Sequence, residues 1–550
     1  MNDSNWIDYH DLPHSAGGFS KLFLDYLYQF PKVQSYYESD FHNFQQLGVA
    51  AGKVCQRFHN RTELVEILLD QNRNYGSSEQ ALENIRKLGE EKTVAVVTGQ
   101  QVGILTGPMY TIYKTITIIK LAEQLGRTFP EYTFVPVFWM ENEDHDFEEV
   151  NKIGLLNADH VPVTVQYLIE GKPLDRNIGA VGNVVLDNQI QSFLEQIQSI
   201  LPHSEFKKPL LELLQQAYSP GTTLTKAFAG LMNQFFSKSG LVFVSSNDNR
   251  VKRLLAPLFK KEIAEYPKLS QVFIGRSAAL EAEYHAQIKP KALNLFLFHK
   301  NGRYLIEPRD QDFSLKGTRQ YFQKDELLRI AEETPELFSA NVVLRPICQD
   351  TILPTLVYVG GPSEIAYFAQ LKPVYQYFEL AMPMIYPRAS ATILEAKHDK
   401  TLEKYELELL EFFGNPENVN RKVIEMVSEV KIEDVFGDAT KRIGELTNEM
   451  KFGLNYIDPT LLGALETTRS KIDSHFQVLK EKTIEAQKRR HEIALRQVSR
   501  VANSIFPKGN FQERELNIIY FMNKHGVELA THLTNELQID SFKHQIIRLG

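Results

Sequence analysis

Residues 93–146 read TVAVVTGQQVGILTGPMYTIYKTITIIKLAEQLGRTFPEYTFVPVFWMENEDHD, and this stretch decides the fold. An apolar run at residues 94–97 leads into a glycine-bearing turn, and a helix follows Pro108. A second apolar run, residues 134–140, ends in a group of carboxylates. The pattern predicts one βαβ unit. Because continuous apolar runs are typical of parallel strands buried on both faces, we expect an α/β fold with a Rossmann-like open parallel sheet.

Length and composition exclude several classes of protein. A chain of 550 residues is too long for one core, so two or three domains are expected. The net charge of -8 argues against a nucleic-acid partner. Cys55 and Cys348 are too few for a disulfide framework or a four-cysteine zinc site. No apolar stretch reaches about 18 residues and no signal segment opens the chain, so we expect a cytoplasmic protein without a membrane partner.

The order of apolar runs and helical patterns predicts the domain organisation. Residues 1–390 are expected to form the Rossmann-like core, mainly helical up to about residue 90 and with insertions near 155–235 and 280–340. The first insertion is expected to alternate short β-like segments, among them AVGNVVL, with an amphipathic helix. The second insertion contains Asn301-Gly302 between apolar runs, which is a strong hairpin signal. Residues 391–505 are predicted to form an α-helical coiled-coil domain, and residues 506–550 a helical segment that returns to the core.

The helical region has an incomplete heptad pattern. Asp458-Pro459 opens a helix with no breaker before Pro507, and apolar residues recur in it every seven positions, at Leu465, Ile472, Leu479, Ala486 and Ile493. The companion positions are polar, at Thr468, His475, Lys482 and Arg489. We therefore expect an antiparallel helical hairpin with the helix at residues 439–454, completed by a second subunit, rather than an independent two-stranded zipper.

Three segments should meet where the parallel strands end, because ligands bind an open α/β sheet at that edge. They are residues 98–108, 141–149 and 360–364. In the first, Gln100, Gly103 and Gly107 precede a helix N-terminus that favours an anion. The segment matches neither the dinucleotide fingerprint nor the P-loop. Glycines that serve only close packing are the alternative interpretation.

The second segment concentrates acids directly after a buried strand. Glu141, Asp144 and Asp146 surround His145, and such repulsion needs a cation, a basic side chain or a substrate amine to offset it. His145 is a candidate general base, and the acids are candidate magnesium ligands. Acids that complement the dipole of a helix N-terminus are the simpler alternative.

The third segment repeats the anion-accepting pattern. Gly360 and Gly361 form a tight turn, and Ser363 is the expected helix cap. Arg345 and Arg388 offer fixed positive charges for a carboxylate or phosphate, and Asp350 is expected to pair with one of them. Cys348, in an apolar setting, is expected to be a buried structural thiol.

These motifs resemble a known family, the bacillithiol biosynthesis cysteine-adding enzymes, also called cysteine ligases. The resemblance extends over the whole chain, and its segments are TGQQVGILTGPMYTIYKTITIIKLA, PVFWMENEDHDFEEVN, VVLRPICQDTILPTLVYVGGPSEIAYFAQL, MPMIYPRASAT and NFQERELNIIYFMNKHG. It implies a Rossmann-like core with inserted connecting segments and a coiled-coil domain that forms a homodimer. It also implies the reaction: L-cysteine is added to glucosaminyl-malate through an amide, the last step in making this low-molecular-weight thiol.

An amide formed from a free carboxylate needs activation, which suggests ATP with magnesium and leaves an acyl-adenylate or an acyl-phosphate open. On this hypothesis the first segment receives phosphate or carboxylate, residues 144–146 hold amines or magnesium, and the two arginines bind substrate carboxylates. The chain has Thr98-Gly99-Gln100-Gln101 where class I synthetases carry their His-x-Gly-His motif, so their mechanism does not transfer. A non-catalytic scaffold and a nucleotidyl transferase are the alternatives.

Overall fold

The computed structural model describes residues 5–12, 18–171 and 177–550. The chain divides into two compact units. The first unit comprises residues 1–393 and 507–547, and the second comprises residues 394–506 and 548–550. Nowhere in the described ranges is there a helix with the length and apolar character needed to span a bilayer.

Helices dominate the chain before the central sheet, as the sequence predicts. The elements in order are β1 (Trp6–Ile7), α1 (Lys21–Tyr28), α2 (Leu47–Arg57), α3 (Arg61–Asn74) and α4 (Glu79–Leu88). Serine side chains start two of these helices: Ser20 caps α1 and Ser78 caps α4, each by accepting a hydrogen bond from a backbone N–H of the first turn.

The predicted βαβ unit is present, with β2 (Thr93–Gln101), α5 (Tyr110–Thr128) and β3 (Thr133–Glu141). Strand β2 is longer than its apolar run, because its parallel pairing with β3 continues to Gln101 opposite Glu141. The expected loop at residues 98–108 therefore begins only at Val102. Between β2 and α5, Leu105 and Thr106 adopt left-handed backbone conformations at φ 49° and 73°, which turns the chain sharply into the helix.

The first inserted segment contains α6 (Phe147–Val150), β4 (Lys152–Leu156), β5 (Pro162–Gln166), α7 (Gln189–Ile200), α8 (Lys207–Ala217) and α9 (Leu224–Phe235), after which β6 (Val242–Ser245) rejoins the central sheet. Strands β4 and β5 form an antiparallel hairpin. The sequence AVGNVVL, expected to be β-like, is instead a 3-10 turn at Val181–Asn183. Its only strand-like feature in the described residues is an isolated bridge between Val185 and Thr223.

The second inserted segment contains α10 (Asn249–Ala264), α11 (Lys268–Glu281), β7 (Leu295–His299), β8 (Gly302–Arg309), β9 (Asp312–Leu315), β10 (Tyr321–Phe322), α12 (Lys324–Glu333) and β11 (Phe338–Ala340). Its strands form an antiparallel sheet in the order β10-β9-β8-β7-β11. The hairpin predicted at Asn301-Gly302 is confirmed, since β7 and β8 pair across it. Asn301 supplies the left-handed conformation, with φ 66°.

The chain then returns to the central sheet through α13 (Arg345–Ile352), β12 (Thr355–Gly360), α14 (Pro362–Phe368), α15 (Lys372–Tyr377), β13 (Met384–Pro387) and β14 (Ser390–Glu395). The central sheet is parallel, in the order β13-β12-β2-β3-β6. The chain first builds outward from β2 on one side and later adds β12 on the other. The topological switch point, where ligands bind in such sheets, therefore lies between β2 and β12.

The second unit consists mainly of helices α16 (Ala396–Lys404), α17 (Pro416–Val427), α18 (Ile432–Ile457), α19 (Leu461–Arg490) and α20 (Glu492–Ile505). Helices α18 and α19 pack against each other as the predicted hairpin. The prediction of a single helix from residue 458 to residue 507 is wrong, because the helix is interrupted at His491. Basic residues fill the last turn of α19 and Glu492 starts α20, so side-chain charges complement both helix dipoles at the break.

The last part of the chain contains α21 (Gln512–Glu515), α22 (Ile519–His525), α23 (Leu529–Glu536) and β15 (His544–Leu549). Strand β15 pairs with β1, in a small sheet of order β1-β15-β14. Gln512 is fully buried and exchanges two hydrogen bonds with the backbone of Ile393. This contact fixes α21 beside the carboxyl edge of the central sheet.

Candidate functional site

A crevice opens at the switch point and consists of two adjoining cavities. The first cavity has a volume of about 330 Å³ and the second of about 420 Å³. Both are lined by Gln100, Gln101, Tyr110, Glu149 and Arg514. The crevice therefore joins the ends of β2 and β3 to α5 and to the returning C-terminal segment.

Arg345, at the start of α13, supplies the positive charge of the second cavity. Its Nη1 donates to Gln349 Oε1 at 2.9 Å, its Nη2 donates to the Tyr367 hydroxyl at 3.4 Å, and its guanidinium lies 5.3 Å from the centre of the Tyr358 ring. It makes no ion pair with any residue that the structure describes. A guanidinium whose hydrogen-bond partners are all neutral is costly to hold away from water, so an anion bound directly to it in this cavity would be stabilised.

Glu141 ends β3 and faces the same cavity. Burial, with repulsion from Glu143, raises its pKa to about 7. Trp139 Nε1 donates to it at 3.4 Å. Near neutral pH this carboxylate exchanges protons readily, which is what a general base requires.

Lys114 holds the floor of the second cavity together. Its Nζ donates to the backbone oxygen of Gly99 at 2.9 Å and to Gln100 Oε1 at 3.1 Å, and it forms a close ion pair with Glu364. Glu364 also accepts hydrogen bonds from the Tyr358 hydroxyl at 2.6 Å and from the Gly361 N–H at 2.8 Å. Burial lowers the pKa of Lys114, and Glu364 opposes that shift.

The sequence reading missed Lys114, although a signal was present. It is a lysine within a helix whose other residues from Thr111 to Ile119 are all buried. A helix buried on every side can hold a lysine only if a carboxylate or carbonyl meets it.

The first cavity is bounded by cations and by the start of α5. Lys152, Lys508 and Arg514 line it. The side chain of Arg514 makes no hydrogen bond or ion pair with the described residues, whereas Lys508 donates to Thr164 Oγ1 at 2.8 Å. The Thr111 hydroxyl is buried beside the cavity without a hydrogen-bond partner in the described structure. These groups can accept an anion or a polar ligand oxygen.

The predicted glycines serve two purposes. Gly103 and Gly107 line the first cavity, and their role in anion binding stays a prediction. They also pack on each other: a Cβ on Gly103 would lie 3.1 Å from Gly107 Cα, and Gly107 has φ 69°. The alternative interpretation, glycines that serve close packing, is therefore confirmed, and the same two glycines also line the cavity.

The third predicted segment lies only partly at the crevice. Gly361 and Ser363 line the second cavity, and Gly360 lies outside both cavities. The expectation that Ser363 caps α14 is wrong, because the helix begins at Pro362 and Gly361 is its N-cap. The backbone N–H of the cap is already bonded to Glu364. The sequence carried the signal, because proline is common at the first helical position and Pro362 therefore places the N-cap at Gly361.

Arg388 lines the second cavity, but its charge is already compensated. It forms a buried ion pair with Glu513, and its Nη1 donates to the backbone oxygen of Ala389 at 3.0 Å. Asp350 makes an ion pair with neither arginine, contrary to expectation. It accepts hydrogen bonds from Tyr375 and Gln349 instead.

Asp144, His145 and Asp146 line neither cavity. Asp144 accepts from Arg303 Nη1 at 3.0 Å and from Gln101 Nε2 at 2.9 Å. Burial alone would raise its pKa, but the hydrogen bond from His145 and the charge of Arg303 hold the pKa well below its usual range.

Asp146 caps α6, since its carboxylate accepts a hydrogen bond from the backbone N–H of Glu149 at 3.3 Å. For this residue the simpler alternative, an acid at a helix N-terminus, is confirmed. Among its neighbours, Asp144 already has a guanidinium as its cationic partner, so the acidic segment does not fit a magnesium site in this arrangement. Cys348 is buried, and burial raises the pKa of its thiol. Its expected structural role is therefore consistent with its position.

A doubly wound parallel sheet with two inserted segments, a charged crevice at its switch point and a separate helical unit defines the class of a Rossmann-like α/β protein with a coiled-coil appendage. The chain belongs to the BshC family. Residues 7–389 match the family model described as "Bacillithiol biosynthesis BshC, N-terminal Rossmann-like domain", and residues 391–549 match "Bacillithiol biosynthesis BshC, C-terminal coiled-coil domain". The predicted fold class and the resemblance are thereby confirmed.

Similar proteins match over nearly the full chain. The "Putative cysteine ligase BshC" of Salinibacter ruber is 39% identical over 543 residues, covering 97% of each chain. Proteins of the same name from Chloroherpeton thalassium and Bacillus cytotoxicus are 37% and 29% identical, covering 99% and 89% of this chain and 99% and 91% of their own. A solved structure titled as a putative arginyl t-RNA synthetase from Campylobacter jejuni has 12% identity and covers 84% of this chain and 99% of its own, and its TM-score of 0.23 carries no argument.

Proposed function

We propose that this protein joins L-cysteine to glucosaminyl-malate through an amide bond, in the last step of bacillithiol biosynthesis, and that ATP activates the carboxylate. The names of its relatives support a cysteine ligase. The observation that carries the proposal is Arg345, a guanidinium without a carboxylate partner in the described structure, facing a cavity that also contains Glu141. A ligase of this type needs an anchor for a carboxylate and an acceptor for an amine proton.

The chemistry proceeds in two steps. A carboxylate oxygen attacks a phosphorus of ATP, and pyrophosphate or ADP leaves, which gives an acyl-adenylate or an acyl-phosphate. The amine of the second substrate then attacks the acyl carbon, the C–N bond forms, and AMP or phosphate departs with the electrons of the C–O bond. Arg345 holds the carboxylate during activation, and Glu141 accepts the proton that the amine loses.

The first cavity is the proposed place for the phosphates. Arg514 and Lys152 face it, and the start of α5 adds the positive end of a helix dipole. Gln100 and Gln101 lie between the two cavities, where they can contact both the nucleotide and the acyl group. We place the activity in the cytoplasm, where ATP is available.

A reconstituted reaction tests the proposal. Purified protein receives L-cysteine, glucosaminyl-malate, ATP and magnesium chloride, and mass spectrometry follows the product and the nucleotide. We expect one amide formed for each ATP consumed, and loss of the product with Arg345→Ala. The absence of any new thiol would refute the ligase, and nucleotide consumption without an amide would favour a nucleotidyl transferase. A protein that consumes nothing would be the scaffold.

A further inference from the structure

A chain of hydrogen bonds runs behind Arg345, on the side away from the cavity. The Tyr375 hydroxyl donates to Asp350 Oδ2 at 2.5 Å. Gln349 Nε2 donates to Asp350 Oδ1 at 2.8 Å, and Arg345 Nη1 donates to Gln349 Oε1 at 2.9 Å. Gln349 and Tyr375 are almost completely buried. Asp350 and Gln349 do not line either cavity. Gln349 contacts Arg345 directly, and Asp350 reaches it only through Gln349.

Asp350 and Arg345, at the two ends of this chain, together set the direction of its bonds. An ionised carboxylate only accepts hydrogen bonds. Gln349 must therefore turn its NH₂ group to Asp350, which leaves its oxygen for Arg345. The reverse orientation of the amide would place a donor against a guanidinium, which has donors only. The ionised carboxylate and the guanidinium thus select the same orientation of the Gln349 amide, and the carboxylate strengthens it from the far side.

We propose that Asp350 is a positioning residue that acts through Gln349 to hold the guanidinium of Arg345 in its carboxylate-binding orientation, and that its ionisation regulates substrate affinity. This inference rests on the proposed function of the second cavity. It assigns a role to a carboxylate that the chemistry itself does not use. A bidentate carboxylate contact needs a guanidinium fixed in plane, and an unfixed one loses affinity through side-chain entropy.

The surroundings of Asp350 make this regulation accessible near physiological pH. Burial raises its pKa to about 6, against hydrogen bonds from Tyr375 and Gln349 and the charge of Arg345. Thr355, at the start of β12, also faces it. When Asp350 binds a proton, its hydrogen bond from Gln349 loses the assistance of the negative charge and becomes roughly half as strong, so the amide that accepts from Arg345 is held less firmly.

Steady-state kinetics of the full-length protein test the inference, with KM for L-cysteine and for glucosaminyl-malate measured between pH 5 and pH 8. The informative substrate is the one whose KM rises in Arg345→Lys. For the wild type we expect its KM to rise about tenfold between pH 7 and pH 5, because one unit below a pKa of about 6 the protonated form predominates tenfold. For Asp350→Asn we expect a raised KM that does not change over this range.

Tyr375→Phe provides a second, directional readout. It removes a hydrogen bond that stabilises ionised Asp350, so the midpoint of the KM profile should move to higher pH. The matched control is Asp310→Asn, which removes the same charge from an exposed turn between β8 and β9 and should leave the profile unchanged. A purely structural role for Asp350 would lower the unfolding midpoint and leave the KM profile where it is.

Glu141 also titrates in this range, so its contribution must be separated from the midpoint assigned to Asp350. Calorimetry measures the binding of L-cysteine and L-malate in two variants that lack the Glu141 carboxylate, Glu141→Gln and Glu141→Gln/Asp350→Asn. The inference is overturned if Asp350→Asn keeps the wild-type KM profile while amide formation proceeds normally. If the wild type makes no amide, the proposed function fails by itself. The calorimetric comparison of the two variants at pH 7 then decides the positioning role.

Discussion

Lys114 and Glu364 form an ion pair across the switch point of the central sheet. Lys114 belongs to the helix after β2, and Glu364 to the helix after β12. The two halves of the doubly wound sheet diverge at this point, and this ion pair joins their first helices. The same pair supports the floor of the second cavity.

Removing one member of this pair should be strongly destabilising. Lys114→Met leaves Glu364 buried without its cation, which typically costs about 3–5 kcal/mol of unfolding free energy. Denaturant unfolding measures the loss. The double variant Lys114→Met/Glu364→Leu should lose less than the single variant. Arg86→Met, which breaks the exposed pair with Glu79, is the control, with an expected cost of about 0–1 kcal/mol.

Arg345→Lys should weaken substrate binding without unfolding the protein. Lysine keeps the charge but loses the planar fork, and a charge-assisted hydrogen bond contributes about 1.5–3 kcal/mol, or roughly 10- to 100-fold in KM. Arg388→Lys is the matched control, because Arg388 is already paired with Glu513. It should reduce stability more than affinity. An unchanged KM in Arg345→Lys would remove the carboxylate anchor from the proposal.

Glu141 should make both activity and stability depend on pH. As a base with a pKa of about 7, it is required in its ionised form, so kcat should fall as the pH drops below 7. Its folded pKa lies above the ordinary value of 4.5, so folding takes up a proton in that window. The wild type therefore loses stability as the pH rises from about 4.5 to about 7. Glu141→Gln should be less active, and more stable than the wild type at pH 8. Equal stability at pH 8 would contradict the raised pKa.

Gly154→Ala should displace the segment that carries Arg514 and so change the shape of the first cavity. A Cβ at this position in β4 would overlap the backbone oxygen of Glu515, next to Arg514. Overpacking of this kind costs about 1–3 kcal/mol, and displacement of the segment should reduce nucleotide affinity. Gly126→Ala is the control, since a Cβ there meets nothing within 4 Å. Inside helix α5 that change should stabilise the protein by up to about 1 kcal/mol.

Deletion of residues 391–505 should convert a dimer into a monomer in light scattering. The homodimer is a prediction from the heptad pattern and from the family resemblance. It is consistent with the apolar side chains that α18 and α19 expose, among them Phe452 at 85% and Tyr456 at 92%. A full-length protein that is monomeric at micromolar concentration would refute it. Phe452→Glu/Tyr456→Glu tests the same surface without a deletion.

The central sheet could be predicted because buried parallel strands appear directly as apolar runs. The crevice could be predicted in part, since Gln100, Glu141 and Arg345 end or follow elements whose positions the sheet dictates. The environment of Asp144 could not be predicted, because its partner Arg303 comes from a distant inserted hairpin. The position of Arg514 at the two cavities could not be predicted either, because it comes from the distant C-terminal segment. Contacts between segments far apart in the chain leave no local sequence signal.

The interruption at His491 shows a different limit of sequence reading. Proline and glycine break helices through the backbone, and neither is present there. The charges on both sides stabilise two helix ends instead. A prediction that ends helices only at proline or glycine therefore places one continuous helix across such a junction.

The position of α21 has a consequence for biosynthesis of the protein. The central strands leave the ribosome early, but Glu513 and Arg514 are translated only after the whole helical unit, and β15 is translated later still. A nascent chain can thus build its sheet long before it can bind substrate. Termination of translation before Glu513 would remove Arg514, which lines both cavities, and the carboxylate partner of Arg388. Translation through α21 is in this sense the step that completes the crevice.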